Sequence, residues 1–222
     1  MQSTGIKWQR ISIRRLNKNK YTEKNRLIKE AVFILYMPDL KLYMILLGCK
    51  PDGRNTEQHD LFFGIGKTLA DIKKDILSFW KEANGKIHID AWREVQLVDG
   101  YKISVEERDG PLTAKNEKLF FINLGGYKQN EFEEFHYKLL TVSGDKGVAV
   151  QKAKQTAFYK HTGFEGAVSH IDDKYGIDVD DVYEIEDILP EHLKKQFHIQ
   201  VKPTTDQDQD EMHLGYLKID KI

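Results

Sequence analysis

The sequence predicts an α+β protein of two tandem ββαββ repeats that pack about a pseudo-two-fold axis, with mostly antiparallel sheet. Three observations lead to this prediction. The 222-residue chain resembles itself at a nearly constant offset, its apolar residues occur in short strand-like runs, and a helical apolar stripe follows one of these runs. Two such repeats would leave open sheet edges unless they paired with each other, which favours a single body.

The self-similarity appears first at an offset of 77 residues, which aligns Leu42–Gly48 with Leu119–Gly125. The same offset places Glu57 on Glu134, His59 on His136 and Thr68 on Asp145. A five-residue insertion then changes the offset to 82 and aligns His88-Ile-Asp90 with His170-Ile-Asp172, Asp99 with Asp181, Tyr101 with Tyr183 and Ile103 with Ile185. So many matches in order, with one gap, indicate an internal duplication.

The duplication predicts the organisation of the chain. Copy 1 spans 37–106, a linker spans 107–117, copy 2 spans 118–189, and a C-terminal helix with strands in 190–222 completes the body. Residues 1–36 form a basic N-terminal extension, and Met37 is an alternative start.

The elements of copy 1 follow from its apolar pattern. The near-continuous run Leu42–Gly48 predicts a buried strand, and a second strand covers 59–65. Thr68 begins a helix whose apolar stripe is Leu69, Ile72, Ile76, Phe79, Trp80 and Ala83. Strict alternation after Asn84-Gly85 predicts a strand with His88, Asp90 and Trp92 on one face, and Asp99-Gly100 turns the chain into a fourth strand. In copy 2, Asp145 begins the corresponding helix.

Charge and composition exclude several classes of protein. Residues 1–36 carry nine basic and two acidic side chains, which leaves 25 basic and 33 acidic ones in the rest of the chain. A nucleic-acid or membrane-surface tail is one interpretation of the basic extension, but the acidic body disfavours nucleic acid as a partner. The single cysteine, Cys49, excludes an intramolecular disulfide framework and predicts a cytoplasmic protein. No apolar stretch approaches the roughly 20 residues of a membrane span.

Several motifs together resemble the bacterial family called domain of unknown function 1543. They are Leu42-Tyr-Met-Ile-Leu-Leu-Gly48, Glu57-x-His59-Asp60, His88-Ile-Asp-Ala-Trp92, Phe121-Ile-Asn-Leu-Gly-Gly-Tyr127 and His213-Leu-Gly-Tyr-Leu217. The resemblance covers roughly residues 37–222 and implies a small bacterial protein that carries the domain in one or two copies, with two tandem copies expected here. It implies no activity, substrate or cofactor.

The candidate site consists of histidines and carboxylates that recur in both copies. Its members are Glu57, His59, His88, Asp90 and Trp92 in copy 1, and Glu134, His136, His170 and Asp172 in copy 2. Residues two apart on a strand share a face, so imidazoles and carboxylates from two strands converge. Three roles remain open: a structural role, a small-ligand or acid/base site, and a divalent metal site with His59, His88, Asp90, His136, His170 and Asp172 as ligands.

Two further motifs predict no function of their own. The segment Gly64-Ile-Gly66-Lys67-Thr68 resembles the end of a phosphate-binding loop, but Leu61 stands where the full pattern needs glycine. Tight strand-to-helix turning explains both glycines. Cys49 lacks an activating motif, and we interpret it as a bystander thiol.

These observations predict a non-catalytic small-ligand or protein-interaction module. The alternative is a metal-assisted hydrolase that uses the Glu-x-His and His-Ile-Asp sets. No cofactor is predicted beyond the divalent metal alternative, catalytic residues are not assigned, and homo-oligomerisation is left open.

Overall fold

Three antiparallel sheets and four α-helices organise the described residues, 40–110, 116–127, 130–155 and 177–222, of the computed structural model. Residues 40–222 form one structural unit. The predicted N-terminal extension, 1–36, lies outside the described residues. No helix in the described ranges is both long and apolar enough to cross a membrane.

The first sheet has the strand order β10-β3-β1-β2 and is antiparallel throughout. Its strands are β1 (Lys41–Cys49), β2 (Gln58–Gly66), β3 (His88–Glu94) and β10 (His213–Lys218). Helix α1 (Leu69–Phe79) connects β2 to β3 through a short 3-10 turn and covers one face of the sheet.

The second sheet has the order β7-β6-β8, so its first strand is again central. Its strands are β6 (Lys118–Tyr127), β7 (Glu134–Ser143) and β8 (Ile177–Glu184), and helix α2 (Lys146–Lys154) covers one face. The two sheets therefore share a strand–strand–helix–strand order with the same antiparallel pairing.

A small third sheet has the order β4-β5-β9. Its strands are β4 (Leu97–Val98), β5 (Tyr101–Glu107) and β9 (Phe197–Pro203), and β9 is preceded by the short helices α3 (Ile185–Ile188) and α4 (Glu191–Gln196). A final 3-10 turn follows β10. Because β5 pairs with β9, the chain that follows the second large sheet adds a strand to the small sheet. The other two strands of the small sheet, β4 and β5, precede the second large sheet in sequence.

The core lies where the three sheets meet. Phe63 of β2 and Phe121 of β6 are 1% and 6% exposed, and their ring centroids are 5.7 Å apart. Two smaller apolar clusters lie beneath the helices, with Ile72 and Ile76 of α1 on the first sheet and Ala149 and Ala153 of α2 on the second. The small alanines of α2 contrast with the isoleucines of α1.

The residues that the duplication assigns to the fourth strand of copy 2 occupy another position in the structure. Asp181 and Tyr183 lie on β8, where they pair with Asn123 and Phe121 of β6, and Ile185 begins α3. They therefore occupy the third-strand position of the second sheet, while β9 supplies the partner of β5. The buried face of β8 explains this register, because Val179 and Val182 pack against the cluster beneath α2.

Candidate functional site

A β-bulge in each large sheet positions one aspartate. Leu46 of β1 pairs with Ala91 and Leu47 pairs with Ile89, which leaves Asp90 without a partner across the ladder. In the second sheet the same register shift between Asn123 and Leu124 makes Asp180 the extra residue of the bulge on β8. A bulge puts one extra residue on a strand and turns the following side chains to the other face.

The bulge corrects the placement of Trp92. Strict alternation puts it on the same face as Asp90, but the extra residue changes the phase, so Trp92 packs with Ile89 against the cluster beneath α1. There its ring lies 6.1 Å from that of Tyr43 and stacks on His213 at 3.8 Å. Trp92 therefore does not belong with the His88 and Asp90 set.

A glycine faces each bulge aspartate. A Cβ atom at Gly48 would clash with Nε2 of His88 and would lie 2.5 Å from Oδ2 of Asp90. A Cβ at Gly125 would clash with Oδ2 of Asp180 and would lie 2.8 Å from its Oδ1. Both glycines thus provide the space that the carboxylates occupy beside the central strand.

The first sheet brings together four of the five residues predicted for copy 1. His88 Nε2 lies 3.1 Å from Oε1 of Glu57 and 3.2 Å from Oδ1 of Asp90. His59 Nε2 lies 3.3 Å from Oδ2 of Asp90 and 4.0 Å from Oε2 of Glu57. We call Glu57, His59, His88 and Asp90 site 1.

The two histidines of site 1 differ in exposure. The His88 side chain is 11% exposed and that of His59 is 45% exposed. The ring of Tyr216 on β10 covers His88 with a centroid separation of 4.4 Å. Oδ2 of Asp90 is buried and accepts no hydrogen bond within the described part of the chain, although His59 is near. An orphaned buried carboxylate oxygen is costly and would be satisfied by a cation.

The second sheet assembles an equivalent set from Glu134, His136 and Asp180. His136 Nε2 lies 3.3 Å from Oδ2 of Asp180 and 3.9 Å from Oε2 of Glu134. One possible ligand atom from each residue lies within 4.8 Å of those of the other two. We call these three residues site 2.

Site 2 contains only part of the predicted copy 2 set. Glu134 and His136 are present, whereas His170 and Asp172 lie outside the described residues. Sequence reasoning missed Asp180, because the offset of 82 aligns Asp90 with Asp172, while the bulge register aligns it with Asp180, 90 residues further along.

An ion pair that occurs in both large sheets indicates how Asp180 could have been predicted from the sequence. Lys41 and Glu94 are 2.7 Å apart in the first sheet, and Lys118 and Glu184 are 2.7 Å apart in the second. The two lysines are offset by 77 and the two glutamates by 90. The glutamates therefore carry the same offset as the two bulge aspartates.

The Glu-x-His pairs of sites 1 and 2 line one groove. An open concavity of about 520 Å³ is lined by Leu46, Glu57, Gln58, His59, Glu133, Glu134, Phe135, His136 and Lys138. The Glu-x-His motifs at the start of β2 and of β7 thus meet at one surface.

Lys138 of β7 lines the groove, and its charge interacts with that of Asp60 on β2 of the first sheet. Burial lowers the pKa of Lys138, while the charge of Asp60 opposes that shift. Burial likewise raises the pKa of Asp60, although the Leu61 N–H donates to its carboxylate. Asn123 donates to Asp181 at 3.3 Å and leaves its own Oδ1 buried without a partner in the described region.

The two remaining motifs have structural explanations. The backbone N–H groups of Lys67 and Thr68 donate to the Asp71 carboxylate at 3.0 and 2.8 Å. The donors that a phosphate would need are therefore engaged by the cap of α1. Cys49 is fully buried beneath α1, and this burial raises the pKa of its thiol.

Comparisons with known proteins find a family model that matches part of the chain and a solved structure with a similar fold over most of it. Residues 54–105 match the family model "Domain of Unknown Function (DUF1543)", a region that contains all of site 1. The resemblance predicted from the motifs is confirmed there, and two tandem copies remain a prediction. No curated protein matches.

Among solved structures, the fold is similar to that titled "Crystal structure of a protein Il1583 from Idiomarina loihiensis". The TM-score is 0.53 at 20% identity, over 82% of this chain and 99% of that one. At this identity the likeness concerns the fold alone.

Proposed function

We propose that this protein is a metal-dependent small-ligand-binding module, with divalent cation sites at site 1 and site 2 that open on their shared groove. One observation carries the proposal. Glu134, His136 and Asp180, from two strands of one sheet, present ligand atoms within 4.8 Å of one another beside an open concavity.

The donor chemistry supports a borderline divalent ion. A mixture of imidazole nitrogen and carboxylate oxygen suits Zn²⁺, Mn²⁺ or Fe²⁺. Glu134 and Asp180 place two carboxylates around one half-exposed imidazole, and a bound cation would offset the repulsion between these two carboxylates. The orphaned Oδ2 of Asp90 supports the same chemistry at site 1.

We also propose that the two large sheets descend from one duplicated unit. The equal strand order, the paired glycines Gly48 and Gly125, and the paired bulge aspartates Asp90 and Asp180 support this origin. Duplication explains why two similar sites face one groove.

Metal-assisted hydrolysis is the second candidate function. Three protein ligands leave coordination positions open for water, as catalytic zinc sites do. The open groove over His136 gives a substrate access to those positions. A panel of ester and phosphoester substrates, tested with and without added metal, separates this candidate from binding alone.

A cytoplasmic location remains our proposal. Its support is the single cysteine, which is buried and unavailable for a surface disulfide. The ligand, whether a small molecule or a segment of another protein, is expected to contact the groove.

Calorimetric titration of chelator-treated protein with Zn²⁺ tests the metal sites. The parent is expected to bind two equivalents, and His136→Ala is expected to weaken site 2 by about 100-fold, since even changes to groups that support metal ligands cost 10–100-fold. His59→Ala is expected to act in the same way at site 1.

His192→Ala is the matched control, because His192 also lies near a carboxylate, Asp75, at 3.3 Å, but outside the groove. Equal Zn²⁺ binding by the parent and by a His59→Ala, His136→Ala double variant would show that the proposed sites do not hold metal.

A further inference from the structure

We infer that the groove takes a small oxyanion, phosphate or carboxylate, held between the cation of site 2 and the ammonium of Lys138. This inference rests on the proposed function, because it names the class of ligand that the metal site would bind. Lys138 takes no part in either metal site, and it is the one lysine among the groove-lining residues.

The strand period places Lys138 beside the metal ligands. Glu134, His136 and Lys138 are alternate residues of β7, so their side chains share one face of the strand. All three line the groove. A ligand bound to a cation at site 2 would therefore lie beside the Lys138 ammonium.

Lys138 differs in its partners from Lys41 and Lys118, which begin the central strands of the two large sheets. Lys41 and Lys118 each hold a glutamate at 2.7 Å. Lys138 is half-buried, and no carboxylate in the described ranges lies within 4.0 Å of its Nζ, although the charge of Asp60 acts on it. A half-buried ammonium that lacks a close counter-ion is poised to receive an anion.

The first sheet carries no such charge. Leu61 on β2 pairs with Leu46, as Lys138 on β7 pairs with Asn123, so Leu61 occupies the position of Lys138. Leu46 also contributes an apolar side chain to the groove. The anion is therefore expected at site 2, with the leucine side receiving the apolar part of a larger ligand.

The chemistry favours an oxyanion over a neutral ligand. An anionic oxygen can coordinate the cation while a second oxygen accepts a charge-assisted hydrogen bond from Lys138. Lysine acts here as a point charge, which suits both tetrahedral phosphate and planar carboxylate. The same groove without metal is lined by three glutamates and would repel an anion.

The test is calorimetric titration of the full chain, loaded with Zn²⁺ and freed of excess metal, with inorganic phosphate in one arm and acetate in the other. Lys138→Met removes the charge and keeps the stem, Lys138→Arg keeps the charge, and Lys202→Met is the control at a lysine paired with Glu106. Urea unfolding of each variant checks that the fold is intact.

At least one anion is expected to bind the loaded parent and to bind Lys138→Met about tenfold more weakly, as the loss of one charge-assisted hydrogen bond requires. Lys138→Arg should recover most of the affinity, and Lys202→Met should match the parent. The arm with the tighter binding distinguishes a phosphate ligand from a carboxylate one.

Two results would overturn the inference while leaving the metal sites in place. They are equal anion affinity in the parent and Lys138→Met, and no anion binding by protein that has bound Zn²⁺. Failure of the parent to bind Zn²⁺ would overturn both this inference and the proposed function.

Discussion

The two large sheets build their sites on the same frame, which consists of a glycine, a bulge aspartate and a Glu-x-His pair. They differ in the residues around this frame. In each, a glycine of the central strand faces a bulge aspartate, and a Glu-x-His pair lies at the start of the edge strand, with Glu57 one residue before β2 and Glu134 the first residue of β7. Beside that frame the first sheet places His88, Leu46 and Leu61, whereas the second places Asp178, Asn123 and Lys138 at the same register positions.

This difference separates two kinds of constraint. The glycine and the bulge are backbone features, because only a residue without Cβ leaves room for the carboxylate and only an extra residue directs it there. The neighbouring side chains can change without altering that geometry. We therefore expect the sites to share metal binding and to differ in the ligand that each accepts.

Replacing Phe63 by alanine tests the contact between the sheets and has the largest expected effect. Its ring is buried against Phe121, so the cavity and the lost apolar burial should reduce the free energy of unfolding by about 3–5 kcal/mol. Urea denaturation measures the loss. Phe132→Ala, at a fully exposed ring, should stay within about 0.5 kcal/mol of the parent. Similar losses in both variants would argue against a shared core.

The small sheet is joined to the second large sheet through Asp99. This residue lies in the β4–β5 turn at φ 53°, and its Oδ2 accepts hydrogen bonds from the Thr141 hydroxyl at 2.6 Å and the Val142 N–H at 3.0 Å. Asp99→Ala should lower the free energy of unfolding by about 1–3 kcal/mol. Asp109→Ala, on an exposed acid, serves as the control in the same urea titration. Identical midpoints would mean that these bonds do not join the sheets.

Alanine substitution of Gly48 or Gly125 tests whether Zn²⁺ affinity depends on the backbone geometry of each site when all metal ligands are kept. Gly125→Ala should push the Asp180 carboxylate away and weaken Zn²⁺ binding at site 2 by about tenfold or more, with all three ligands still present. Gly48→Ala should do the same at site 1 through His88 and Asp90. Each variant is the control for the other site in a calorimetric titration. Unchanged affinity in both would show that the glycines do not shape the sites.

Substitutions at the helix caps are expected to have the smallest effect on the free energy of unfolding. This effect is expected to depend on pH. The pKa of Asp71 at the start of α1 is lowered by hydrogen bonds from Thr68, with a further contribution from Lys67. A lowered folded-state pKa stabilises the protein at pH values above the ordinary aspartate pKa of about 3.9. This contribution is lost as the pH falls through the folded-state pKa.

Asp71→Asn should therefore be less stable than the parent at neutral pH, and the difference should shrink towards about pH 2. Urea unfolding over that range, at constant ionic strength, measures it. Asp145→Asn examines the corresponding cap of α2, where Asp145 accepts a hydrogen bond from Val148 N–H. A pH-independent difference for Asp71→Asn would exclude the carboxylate as its cause.

Local pattern determined much of this protein in advance. The apolar runs placed β1, β2 and β6, and the cap and stripe after Thr68 placed α1, because burial and capping act within a few residues. The two Glu-x-His pairs were recognisable for the same reason, since alternate residues of a strand share a face whatever surrounds it.

Only the tertiary structure decided which aspartates join them. A bulge is a property of two paired strands, and its one-residue shift moved Trp92 to the helix side and made Asp180 the partner of His136. The meeting of both pairs at one groove likewise depends on how two sheets pack through Phe63 and Phe121, which are distant in sequence. Register and packing are settled by long-range burial, which no local pattern encodes.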